Sequence, residues 1–338
     1  DEAFTRFAAA GEERSMHVEV EENNERIRKN YQEKLDALER AKKWAKAVED
    51  AAAKPENAEV VAAIQRAAAA LPTEIDRIQD ALLPAELGSK AAACAIEMAL
   101  FDHIGKRHGV PLGGLVEAPR RERLETSITI AMDTPDRMAA RVREAHAPIY
   151  KIKVGGDADE EALEAIRGVT NARLRLDANG GWSRDRAAAL IPRLERFGVE
   201  LIEQPCSPSD PGAFEWLASR GFRMPIFADE SVGSLAELVE LAPHLDGVVV
   251  KLRKFGGISA AREAIRVARS HGLQIMMGCM IESSLAVTAA AHLAQLCDLV
   301  DLDAPLLIGN DPYVGVTYRD FRLELPGRPG IGAVPRRS

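Results

Sequence analysis

The sequence predicts a closed parallel α/β barrel over residues 121–309, preceded by a helix-rich first domain over 1–120 that a C-terminal segment, 310–338, returns to complete. Three observations carry this. From Glu125 onward eight short apolar runs of strand character follow one another at intervals of about 25 residues, as a repeating strand-plus-helix unit requires. The intervals between them carry Ala, Leu, Arg and Glu at helical spacing, as in Asp185 to Phe197. Nearly every run also ends in charged residues, which suits closure better than an open doubly wound sheet, because a barrel gathers its strand ends at one mouth. A length of 338 residues fits such a barrel plus a smaller attachment.

At the front, Met16 to Glu21 alternate as a half-exposed strand does. From Asn23 to Ala53 the period changes, and Ile27, Tyr31, Leu35, Leu38 and Val48 recur at helical spacing among many charges, predicting a long amphipathic helix. Pro55 and Asn57 end it. A second helix is expected from Val60 to Leu71 before Pro72, and a third from Leu87 to His108, stopped by Gly109 and Pro111. The strands are then read at ETSITIAM (125–132), IYKIKVG (149–155), RLRLDANG (173–180), ELIEQP (200–205), PIFADES (225–231), DGVVVKL (246–252), LQIMMGCM (273–280) and DLVDLDAP (298–305). The tail from Asn310, with Tyr313 to Leu325 and then LPGRPGIG, is expected to pack back on the first domain.

Asp177, Glu203 and Asp229 lie near the ends of three successive runs and are separated by equal intervals of 26 residues. Equal steps bring them side by side at the barrel mouth, where three unpaired carboxylates would repel one another. A hard divalent cation with oxygen ligands, Mg²⁺ foremost, relieves that repulsion. Each acid taken singly would read as a helix cap or a loop ion pair; the matched period favours the metal.

Lys151 and Lys153 are two apart, so both side chains share one face of the second strand. Lys251 ends the sixth strand, across the mouth of a closed barrel. Lysines on opposite sides of one metal site suggest a two-base reaction, in which one takes a proton from a carbon beside a metal-held carboxylate and the other returns one to the opposite face. Burial near other cations is expected to lower a lysine's pKa toward neutrality for that role. Lys254, three residues on in a glycine turn, reads as a loop residue.

The set KIKVG, RLDANGGW, IEQP, ADES, KLRKFGG and MMGCMIES resembles the enolase superfamily, and within it the muconate-lactonizing-enzyme-like subgroup, over about residues 85–335. The resemblance implies a (β/α)7β TIM-like barrel with an α+β capping domain, Mg²⁺ on Asp177, Glu203 and Asp229, acid/base lysines at Lys153 and Lys251, and Lys151 as an electrostatic helper at the substrate carboxylate. Asp301 and Asp303, on one face of the eighth strand, resemble the Asp-x-Asp with which dipeptide epimerases hold the substrate's free amine; two carboxylates at a barrel mouth suit an ammonium. The implied activity is epimerisation at the α-carbon of a dipeptide's C-terminal residue, with Ala-Glu as the default substrate. N-succinylamino acid racemase or o-succinylbenzoate synthase is the alternative within the subgroup, and an inactive barrel scaffold is the alternative of another class. Acid-sugar dehydratases are disfavoured, since the sixth and seventh strands offer Lys251 and Cys279 instead of a His-Asp dyad, and His271 and His292 read as structural. The front departs from the subgroup: a charged helix stands where further capping strands with a Gly-rich segment are expected, so the cap is unusually helix-rich. Arg6 and Arg14 are the cap's candidates for meeting a substrate carboxylate.

A net charge of −8 argues against nucleic acid or an anionic membrane as partner. Four cysteines without metal or disulfide spacing suit reduced thiols in the cytoplasm, no apolar run reaches the length of a membrane span, and no export signal is visible. A homo-oligomer is implied by the resemblance alone.

Overall fold

The computed structural model describes residues 90–119, 124–210 and 212–336. The expected strand at 16–21, the helices at 23–53 and 60–71, and Arg6 and Arg14 lie outside the described residues. Helix α1, Lys90–His108, ends where Gly109 adopts a left-handed φ of 71°, as the Gly-Val-Pro sequence requires, and is followed by the short α2, Leu112–Leu115.

The barrel then proceeds in strict alternation. Its strands are β1 (Ile128–Ile130), β2 (Ile149–Lys153), β3 (Arg173–Asp177), β4 (Val199–Glu203), β5 (Ile226–Ala228), β6 (Gly247–Val250), β7 (Gln274–Gly278) and β8 (Leu299–Asp301). The helices are α3 (Pro135–Ala145), α4 (Asp159–Arg167), α5 (Arg184–Leu194), α6 (Ala213–Ala218), α7 (Leu235–Leu241), the turn α8 (Leu252–Phe255), α9 (Ile258–Ser270), α10 (Ser284–Ala294) and the turn α11 (Ala304–Leu307). All eight strands pair in sequence order and in parallel, and a bridge from Thr126 to Val300 brings the first strand round to the last. Ser127 N donates to Val300 O at 3.3 Å and Leu302 N to Thr126 Oγ1 at 2.8 Å, so the seam is held by hydrogen bonds on both sides of that bridge. Only a four-residue turn follows β8, which gives the expected (β/α)7β form.

Alternation along the strands sorts the side chains. Ile152, Leu174, Leu176, Ile202, Val248, Val250, Ile275 and Met277 point outward and are completely buried under helices that contribute Leu163, Ile166, Ile191, Leu194, Ala264 and Ala268. Leu201, Phe227, Val249 and Met276 point inward and form a separate apolar floor. Gly247 makes room for it: a Cβ there would meet the Phe227 ring at 2.3 Å. The floor includes one charge. Arg175 spans it, donating to Glu200 at 3.0 Å and to Val300 O on the far side of the barrel at 3.0 Å.

The tail forms β9 (Tyr313–Val314), the hairpin β10 (Thr317–Arg319) and β11 (Arg322–Glu324), and β12 (Val334–Pro335), which pairs with β9. It returns to the region before the barrel, since Gly330 bridges Pro111 and Ile331 N donates to Asp102. It also packs on the barrel, where Val316 N donates to Thr288 and Tyr318 OH to Leu302 O. His292 is a core residue: its Nδ1 accepts from Gly113 N at 3.2 Å and its Nε2 lies 3.1 Å from Ile331 O. No helix among the described residues is long and apolar enough to cross a membrane.

Candidate active site

One pleat above the apolar floor, the same inward-facing rows become charged. Arg175 is followed by Asp177, Leu201 by Glu203, Phe227 by Asp229, Val249 by Lys251 and Leu299 by Asp301. β2 contributes Lys151 and Lys153. The register pairs Lys153 with Asp177 and Asp177 with Glu203, so the neighbours are fixed by backbone hydrogen bonds before any side chain is placed. Gly278 on β7 is the small member of the ring. A Cβ there would press on Lys251 Cε at 3.0 Å, so the glycine leaves the lysine's stem its path.

Lys151 occupies the centre of the acid set. Its buried ammonium lies 2.9 Å from Asp177, 2.8 Å from Glu203 and 2.9 Å from Asp301. These carboxylates outweigh the burial that opposes its charge and raise its pKa well above the usual lysine range. Asp177 and Glu203, from β3 and β4, are therefore joined to Asp301 of β8 through one ammonium. Lys153, partly exposed, donates to Asp177 at 2.6 Å and to Asn179 at 2.9 Å. Lys251 donates to Asp229 Oδ2 at 2.5 Å.

The expected lowering of the lysine pKa is not what the site does to Lys251. Burial pulls it down, but the carboxylates of Asp229, Glu203 and Asp177 together raise it above the usual range. Lys254 is not a loop residue either. Partly buried, with its pKa lowered by desolvation, it turns back from α8 and spends its donors on Asp229 Oδ1 at 2.5 Å, Asp229 O at 2.7 Å and Val249 O at 2.7 Å.

Glu203 differs from the other acids. It is completely buried, its Oε2 lies 2.8 Å from the Lys151 ammonium, and neither oxygen accepts a hydrogen bond. Burial and the charges of Asp177 and Asp229 push its pKa well above the carboxylate range. A buried carboxylate without a donor, between two others, is a group in need of positive charge. Among the described residues no three acidic, thiol or imidazole side chains stand as a ready set of metal ligands, the lysines lying among these acids instead. The donor chemistry nevertheless fits a hard cation: three adjacent strand-end carboxylates, oxygen only, one of them orphaned.

At the seam, Asp301 accepts from Ser127 Oγ at 2.6 Å and from Lys151. Asp303 sits at the N-cap position of α11 without capping it; its Oδ2 accepts from Thr129 N at 2.7 Å. Burial and the neighbouring Asp301 raise the Asp303 carboxyl to about 6.

Sequence reading missed Ser127, Asn179 and Gln204 and set Lys254 aside as a loop residue. Ser127 and Lys254 are described above. Asn179, at a left-handed φ of 44°, accepts from Lys153 and donates to Glu230 at 2.9 Å. Gln204, also left-handed at 43°, is fully buried and accepts from Asp229 N and Ser231 N at 3.0 and 3.2 Å while donating to Cys206 O and Ser231 Oγ. The polar residue one or two positions after each quoted motif acid, in DAN and EQP, was the available signal. A cavity of about 600 Å³ lies elsewhere, on the outer wall beside Phe101, Val116 and Ile258; the arginines that line it are paired with Glu117, Glu263 and Asp298.

A closed parallel barrel with carboxylates on β3, β4 and β5 and lysines on β2 and β6 defines an enzyme of the enolase superfamily. Residues 134–338 match the enolase C-terminal domain-like family, and the chain belongs to it. By class it is an isomerase, its relatives being epimerases and racemases. It is 40% identical over 249 residues to an L-Ala-D/L-amino acid epimerase from Pedosphaera parvula, covering 72% of this chain and 71% of that one. It is 35% identical over 258 residues to the L-Ala-D/L-Glu epimerase of Bacteroides thetaiotaomicron, 75% of this chain and 66% of the relative. The chain thus spans 66% and 71% of the length of these relatives. A dipeptide epimerase from Cytophaga hutchinsonii, solved with Mg and D-Ala-L-Val, superposes with a TM-score of 0.71 at 30% identity, covering 74% of this chain and 72% of that one. An N-succinyl Arg/Lys racemase from Bacillus cereus gives 0.70 at 28%, covering 73% and 70%.

Proposed function

We propose that the protein is a Mg²⁺-dependent dipeptide epimerase that exchanges the α-proton of the C-terminal residue between two lysines, with Ala-Glu as the default substrate. The observation that carries this reading is the placement of Lys153 and Lys251 on β2 and β6, four strands apart in a ring of eight, with the acids of β3, β4 and β5 between them. In it, Asp177, Glu203 and Asp229 hold the cation, which when bound supplies electrophilic stabilisation of the charge that develops on the substrate carboxylate. Lys153 and Lys251 stand on opposite faces of the α-carbon, one neutral to accept a proton and the other charged to give one. Asp229 would be one of the residues that hold the cation, and Lys251, which donates to it in the structure, is the acid or base on that side of the α-carbon. Lys151, held charged by its three carboxylates, is the electrostatic helper. Asp301 and Asp303 receive the dipeptide's ammonium.

The cap is proposed as residues 1–120 completed by 310–338, with the barrel at 121–309; the pairing of Gly330 with Pro111 supports the return of the tail to this part of the chain. A cytoplasmic homo-oligomer acting on a small molecule, with neither nucleic acid nor membrane as partner, completes the proposal. The N-succinylamino acid racemase reading is the second one, favoured by the similarity to the Bacillus cereus racemase.

Proton NMR in D₂O with Mg²⁺ tests the choice on a panel of L,L-dipeptides, Ala-Glu included, beside N-succinyl amino acids. Deuterium entering the C-terminal α-position together with an L,D diastereomer is the expected result. Exchange confined to the succinyl compounds selects the racemase, and exchange on neither class selects the scaffold.

The β8 acids add a pH test. With its carboxyl raised to about 6, Asp303 is charged above that pH and gains a proton as the pH falls through it. Capture of an ammonium needs the charged form, so KM for dipeptides is expected to rise below about pH 6 while kcat is less affected. Asp303→Asn is expected to raise KM about 10- to 100-fold, the worth of a charge-assisted hydrogen bond, and to flatten that pH dependence. An unchanged KM profile would place the amine elsewhere.

A further inference from the structure

We infer that Asp159 is a positioning residue for Lys153: its buried carboxylate fastens the loop after β2 to the loop after β3 and so fixes the base on one side of the α-carbon. This rests on the two-base reading above. Asp159 opens α4, yet its side chain reaches backward. Its Oδ1 accepts from Gly155 N and Gly156 N, both at 3.0 Å, and its Oδ2 accepts from Gly155 N at 3.1 Å and from Trp182 Nε1 at 2.8 Å. The two glycine amides follow Lys153 by two and three residues. Trp182 belongs to the other loop, three residues beyond Asn179, the side chain that accepts from Lys153.

The surroundings show that this contact is built. Asp159 and Trp182 are both buried, and Gly155 lies at a φ of 121° that a side chain would strain. The loops meet backbone to backbone: a Cβ on Gly181 would come within 2.9 Å of Gly155 Cα. Arg186 from α5 closes the outer side, its guanidinium 3.7 Å from Asp159 and donating to Gly156 O and Asp157. Val154 N donates to Asp177 O at 3.0 Å, so β2 and β3 stay joined up to the point where the clamp begins. Lys251 has no part in this arrangement. It is set by Asp229, by Gly278 beside its stem, and by Lys254 holding Val249 O. Loosening the clamp therefore moves one base and leaves the other.

That one-sidedness gives a readout that general destabilisation does not produce. In D₂O with Mg²⁺, each diastereomer of the dipeptide exchanges its α-proton without inversion through the lysine facing that proton; the diastereomer served by Lys153 is the one whose exchange Lys153→Ala abolishes. Asp159→Asn cannot accept from both glycine amides and the indole at once. It is expected to slow exchange of the Lys153 diastereomer about tenfold or more, with exchange of the other diastereomer within about twofold of wild type, as a displaced base requires. Trp182→Phe keeps the carboxylate and its glycine contacts and removes the indole donor, so a smaller loss on the same side is expected; it decides the question where Asp159→Asn does not fold. Equal losses for both diastereomers, or none, in a folded variant would overturn the inference and leave the epimerase reading standing. Wild-type protein that exchanges neither diastereomer would overturn both.

Discussion

Alanine at Lys251 is expected to reduce epimerisation by about 10²–10⁴-fold, the range for loss of a positioned acid or base, and alanine at Lys153 to do the same. The two losses differ in what survives. Net inversion needs both lysines, whereas exchange without inversion needs only the one facing the departing proton. Each variant is therefore expected to abolish deuterium exchange from one diastereomer and retain it from the other, with opposite choices for the two. Folding should be preserved. Lys251 is buried against Asp229, but Lys254 still neutralises that carboxylate when Lys251 is gone. Early-time NMR of each purified diastereomer in D₂O measures this directly. Loss of exchange from both diastereomers in both variants, with folding intact, would refute the division of labour.

Glutamine at Glu203 is expected to eliminate activity at little cost to the unliganded protein. Glu203 accepts no hydrogen bond in the structure, although its Oε2 lies 2.8 Å from the Lys151 ammonium, and burial with the charges of Asp177 and Asp229 favours its neutral form, which glutamine imitates in shape and charge. Lys151 loses one of its three carboxylate partners but keeps Asp177 and Asp301, so the loss of stability without cation should stay below the roughly 3–5 kcal/mol that follows when a buried charge is left unpaired. The response to metal should change completely. A cation that binds only the folded state stabilises it by about 2.7 kcal/mol at a hundred times its Kd, so wild-type Tm should climb with added Mg²⁺ and fall back with EDTA, while Glu203→Gln should stay flat. A melting series over Mg²⁺ concentration decides it; a Glu203→Gln curve that tracks wild type would remove Glu203 from the cation site.

The repeat and the strand ends were legible in the sequence because both depend on local periodicity. Apolar runs about 25 residues apart gave eight strands, and equal 26-residue steps between three acids gave one cluster, without knowledge of any long-range contact. Lys254 was misplaced for the complementary reason. Its position beyond the strand and before Gly256 and Gly257 describes a loop, and only the return of the α8 turn over the end of β5 brings its ammonium to Asp229. Gln204 and Asn179 adopt left-handed backbone conformations that composition does not announce, and their side chains hydrogen-bond to neighbouring strands and loops.

The Lys251 pKa marks the same division. Sequence position puts a lysine in a buried mouth with other lysines, which argues for a lowered value; the tertiary arrangement brings the three carboxylates of that mouth close enough to reverse the sign. Likewise the sequence places two acids at the end of the eighth strand and three at the ends of the third to fifth, but that one ammonium of Lys151 joins Asp177, Glu203 and Asp301 follows from closure at Thr126 and Val300. By itself, the sequence determined the fold class, the strand that bears each charged residue and the face to which it points, because these follow from periods of two and of one repeat along the chain. The tertiary structure alone decided which charge meets which, since partners 20 to 200 residues apart meet only through barrel closure, and at 3 Å in a buried site the distance between charges sets their protonation and their chemistry.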